Sequence, residues 1–108
     1  MTAKSEYDAA YFTWLRAQEE RDALLAYGEY LRAEVARLEA FSAATRDDAE
    51  HLSRMVRRPI DASTKPMLEA VGRRRSVVLD ELNRMDERLA AAQAFVDECD
   101  REVQTLRG

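Results

Sequence analysis

The chain is 108 residues long, carries 17 Lys and Arg against 21 Asp and Glu, and contains one cysteine. A net charge of -4 excludes a general polyanion binder while leaving room for a local basic patch. A single thiol excludes an internal disulfide framework, and no apolar run approaches membrane-spanning length. The N-terminus "MTAKSEYDAAYF" lacks the apolar core of a signal peptide, so the expectation is a soluble cytoplasmic protein with no membrane contact.

Ala, Arg, Glu and Leu dominate, and glycine and proline are scarce, which is the composition of long helices. A first helix is predicted over about residues 5–58, with Ser5 as N-cap and Glu6 and Asp8 set against the helix dipole. Tyr7, Trp14, Arg21, Gly28, Val35, Ser42, Ala49 and Val56 take the a positions of its heptad. Ala10, Ala17, Leu24, Leu31, Leu38, Thr45 and Leu52 take the d positions. From Leu24 onward this stripe is apolar or small throughout, with charges on the other positions.

The stretch "RMVRRPIDASTKPMLEAVGRRRS", residues 54–76, interrupts that count and holds both prolines. Pro59 disfavours helix at Arg58, and "DAST" offers side chains that bond locally, which predicts a tip loop over about 59–65. A second helix follows over about 66–107, opened by Pro66. Its a positions are Leu68, Arg75, Leu82, Leu89, Val96 and Val103. Its d positions are Val71, Val78, Met85, Ala92, Cys99 and Leu106, and only Arg75 departs from the apolar rule.

Two sustained heptads and a short polar connection predict an all-α fold, a long antiparallel two-helix coiled-coil hairpin in a single domain. Antiparallel packing sets a opposite d, and the register expected from a 59–65 loop pairs residues whose numbers sum to 127. Leu38 then faces Leu89, Gly28 faces Cys99 and Arg21 faces Leu106. In that register Tyr7, Tyr11, Phe12, Trp14 and Leu15 overhang the end of the second helix, an apolar surface with no partner. Tyr27, Phe41, Met55 and Phe95 at g, with Leu25 and Leu79 at e, widen the stripe further. The expectation is a homodimer in which two hairpins form a four-helix bundle.

Residues 51–76 carry seven basic side chains against Asp61 and Glu69, a local net of +5, leaving -9 for the rest of the chain. Folded as a hairpin, Arg54, Arg57, Arg58, Lys65, Arg73 and Arg74 form a basic tip suited to an acidic protein partner. Nucleic acid is the alternative, less favoured because no aromatic stands beside these residues for base stacking. Arg57 and Arg58 also suit the dipole at the end of a first helix, and Arg75 suits a path past Leu52 toward Asp48 or Glu50.

Reactive chemistry is sparse. His51 on the first helix of a dimerising hairpin resembles, in architecture alone, the phosphotransfer domains of histidine kinases. Leu52 stands where that family has an acidic residue, and Pro59 lies farther from the histidine than its proline does. Cys99 at d is expected to be buried and inert. Neighbouring acids such as Asp47 and Asp48, or Glu19 and Glu20, diverge on a helix. The reading is therefore no catalytic residues, no metal site and no cofactor. The function expected is a non-enzymatic assembly or adaptor protein that self-associates and scaffolds a protein partner. The alternative is a small regulator that binds nucleic acid, or machinery bound to it, through the tip.

Overall fold

The structure is a computed structural model and describes residues 3–108. Two α-helices account for nearly all of it: α1 spans Ala3–Glu50 and α2 spans Arg54–Arg107. They pack against each other as an antiparallel hairpin, as the heptads predict. The predicted seam holds except at its ends, where Leu52, Val56 and Leu106 are exposed. Every a and d residue of α1 from Tyr7 to Ala49 is buried or half-buried, as is every a and d residue of α2 from Leu68 to Val103.

The turn and the register differ from expectation. Only His51, Leu52 and Ser53 lie outside the helices between α1 and α2. The amides of His51 and Leu52 donate to the carbonyls of Asp48 and Ala49 at 3.3 and 3.2 Å, which tightens the last turn of α1. The carbonyl of Ser53 then accepts from Arg57 N–H at 2.7 Å, making Ser53 the N-cap residue of α2. No described residue has positive φ, so the reversal is made without a left-handed cap.

The expected loop at 59–65 is instead helical, and Pro59 and Pro66 both lie inside α2. Each removes one i to i−4 hydrogen bond, freeing the carbonyls of Met55 and Ala62. Both of those residues are exposed, so the freed carbonyls have access to water. The hydroxyls of Ser63 and Thr64, expected to make a turn, donate to the carbonyls of Pro59 and Asp61 at 3.0 and 3.3 Å within the helix. These local breakers are outweighed by the seam that a shorter turn permits.

The chain divides into two compact units, Met1–Glu29 with Arg84–Gly108 and Tyr30–Asn83. In the first, Ala17, Val96 and Cys99 form one buried cluster with Trp14 packed against it. With a opposite d, Ala17 is level with Val96 and Trp14 with Cys99, numbers that sum to 113 and not 127. The same register sets Tyr7 level with Leu106, Ala10 with Val103, Leu24 with Leu89 and Gly28 with Met85. Arg21, expected beside Leu106, donates from Nη1 to Gln93 Oε1 at 3.2 Å. Tyr7 to Leu15 is therefore no overhang: it runs beside the C-terminal turns of α2, and Thr13 and Ala10 border one groove with Glu102 and Leu106.

Small residues make this packing close. Ala10, Ala17 and Gly28 on α1 are buried, and the larger Met85, Val96 and Val103 of α2 are buried with them. Met85 keeps 1% of its surface and is the most completely buried large side chain among the described residues. In the second unit Leu31, Glu34, Ala49 and Val78 are buried, and Thr45 and Ala49 share a groove with Thr64 and Leu68. That again fits numbers summing to 113.

Candidate interaction surfaces

Within the Tyr30–Asn83 unit, the expected basic tip is divided by the register. Glu34 stands at g of α1 with only 8% of its surface exposed, and its carboxylate is held by two arginines. Arg37, one turn on, donates from Nη2 to Oε2 at 2.6 Å, and Arg74 of α2 donates from Nε to Oε1 at 2.6 Å. The Arg37 hydrogen bonds, then those from Arg74, hold the Glu34 carboxyl below its ordinary value, and the same contact raises Arg74. Arg37 also lies over the ring of Tyr30, 5.7 Å from its centre. Arg75 donates through Nη2 to Glu39 Oε1 at 2.7 Å, and so does not reach past Leu52 as expected. Arg74 and Arg75 thus tie α2 to α1.

Arg54, Arg57 and Arg58 are exposed and line a shallow groove with Asp61, where Arg57 Nε lies 3.6 Å from the carboxylate. Lys65 and Arg73 are exposed further along α2. The expectation that Arg57 and Arg58 complement the end of a helix is reversed. They stand just after the first turn of α2, whose positive end does not favour cations. Apolar side chains stand among them: Met55 is 89% exposed, and Val56 and Ile60 are also open to solvent.

In the other unit the aromatic residues of α1 form a linked row. Tyr7 stacks on Tyr11 at 6.1 Å, and Tyr11 meets Trp14 at 5.8 Å and the edge of Phe12 at 6.1 Å. Trp14 and Leu15 are half-buried, while Phe12 stays 67% exposed. Phe12 and the half-exposed Phe95 of α2 wall an apolar groove of about 400 Å³. Thr13, Ala17 and Ala92 also line it, together with Arg16 and Glu20. Arg16 bridges Glu19 and Glu20 at 3.6 and 3.0 Å, and all three are well exposed. Phe95 was legible in the sequence as a g-position apolar residue. Its pairing with Phe12 depends on a register that the sequence left open.

His51 lies in the turn, not on the first helix, with Nδ1 2.7 Å from the carbonyl oxygen of Asp47. In the Nδ1–H tautomer it donates to that carbonyl and caps α1. Cys99 is buried, and burial first, then Glu102 and Glu98, push its thiol up. Among the described residues no three His, Cys, Asp or Glu side chains group as metal ligands would, and no helix is long and apolar enough to cross a membrane. Compared with protein-family models, with curated proteins and with solved structures, the chain matches none.

Proposed function

We propose that the chain is a non-enzymatic assembly protein, a helical hairpin that self-associates and presents its outer surface to a protein partner. The observation that carries this reading is area. The chain leaves 8076 Å² exposed, where a compact monomer of 12.4 kDa exposes roughly 6100 Å². The difference of roughly 2000 Å² on one chain is more than the roughly 800 Å² that each partner of a standard interface buries, so it leaves room for such an interface. Phe12, Tyr27 and Phe95, all exposed in one unit, supply apolar area toward such an interface. Sedimentation equilibrium at micromolar concentration tests the reading. A mass about twice the 12.4 kDa of the chain supports it, and a clean monomer overturns it.

A second reading, a regulator that grips an anionic partner such as nucleic acid, draws on Arg54, Arg57 and Arg58 at the positive end of α2. Loss of Arg74 and Arg75 to ion pairs within the unit weakens it. Binding of a duplex that falls steeply with rising salt would support it, because phosphate contacts release counterions.

A further inference from the structure

We propose that the groove between Phe12 and Phe95 is the self-association site, and that its occupant is the same groove of a second copy. The inference rests on the assembly reading above and names its surface. The groove is apolar and floored by the small side chains of Ala17 and Ala92, with an exposed phenyl ring at each wall. A floor of alanines admits a ring that a floor of leucines would exclude.

Self-complementarity selects the occupant. In the register of this unit Phe95 is level with position 18 of α1. A two-fold axis at that level brings Phe95 onto Phe95 of the second copy, the isologous arrangement in which one patch meets itself. The same axis sets Arg16, two residues before position 18, against Glu20 of the second copy, two residues after it, and does so twice. Arg16 and Glu20 already bond at 3.0 Å within one chain, and both are more than 60% exposed, so exchange between chains replaces one ion pair with another. A groove of one charge sign would repel its own copy. This one carries a cation and an anion at the spacing that a two-fold contact matches.

Two arms on the full chain test the site. In the first, wild type and the double variant Phe12→Glu, Phe95→Glu are compared by sedimentation equilibrium and far-UV circular dichroism. The expected result is a dimeric wild type, and a variant of unchanged helicity whose dissociation constant is raised at least a hundredfold. In the second, Phe95→Cys is made in a Cys99→Ala background and oxidised at micromolar concentration. A covalent dimer is expected, with none from Val77→Cys in the same background, since Val77 is 63% exposed and belongs to the other unit. A dimeric wild type whose groove variant stays equally dimeric, or whose Phe95→Cys variant fails to cross-link, overturns the groove and leaves the assembly reading standing. A monomeric wild type overturns both. If the double variant unfolds, the cross-linking arm decides.

Discussion

Met85 is where the packing makes its sharpest quantitative demand. It keeps 1% of its surface, and the register sets it level with Gly28, which has no side chain to share the space. Truncation to alanine removes three heavy atoms beyond Cβ, worth about 0.8 kcal/mol each as buried methylene equivalents, or about 2.4 kcal/mol. Volume that the neighbours do not refill adds about 24 cal/mol per Å³, which brings the expected loss for Met85→Ala to about 3–4 kcal/mol. With a urea slope of about 1–3 kcal/mol per molar, the midpoint of unfolding followed by circular dichroism should fall by about 1–4 M. Protein concentration must be held fixed, because self-association adds to apparent stability. Met55→Ala is the internal control: that side chain is 89% exposed, and its loss should change stability by less than about 0.5 kcal/mol. A Met85→Ala variant that loses under about 1 kcal/mol, or no more than the Met55 control, would refute the close packing of α1 on α2 in this unit.

Leu24 and Leu89 are level in the 113 register, so Leu24→Ala and Leu89→Ala should be non-additive in a double-mutant cycle by at least about 0.5 kcal/mol; strict additivity would argue for another pairing. Glu34 gives a pH signature. Its folded value is depressed, so its contribution is complete above the ordinary carboxylate value of 4.5 and is lost as pH falls from there through the folded value. Glu34→Gln should therefore be less stable than wild type at pH 7, with the gap closing on acidification below that point; a gap that stays constant to low pH would sink the assignment. The raised and buried Cys99 thiol should resist alkylation by a neutral-pH thiol reagent until urea unfolds the chain, and rapid labelling of the native protein would contradict its burial.

The corrected register changes what each charged or aromatic residue can do, which no composition argument anticipates. Arg74 passes from the basic tip, and Arg75 from its expected path past Leu52, into ion pairs with Glu34 and Glu39. Trp14 passes from an open overhang into contact with the buried cluster. Phe12 gains Phe95 as the opposite wall of a groove. Arg54, Arg57, Arg58, Lys65 and Arg73 remain outward, the first three carried past the seam by the early turn.

By itself the sequence determined that the chain is two helices, and which stripe of each faces inward. The a and d assignments hold from Tyr7 to Ala49 and from Leu68 to Val103, because a seven-residue apolar period fixes a face whatever the partner is. It did not determine the register. Sliding one helix by a whole heptad returns a to a and d to d, so pairings that sum to 113, 120 or 127 all place apolar against apolar. Local signals are then all that separates them, and Pro59 with "DAST" selects the wrong turn. Only the folded hairpin weighs those prolines against the seam they would shorten. Summing to 113 carries the a–d layers from Tyr7–Leu106 to Ala49–Thr64, and summing to 127 leaves Tyr7, Ala10, Trp14 and Ala17 without partners. It also sets Gly28 level with Met85 and lets Arg74 reach Glu34, two specific matches that no periodicity encodes. Periodicity is a property of each helix, whereas register is a property of the pair.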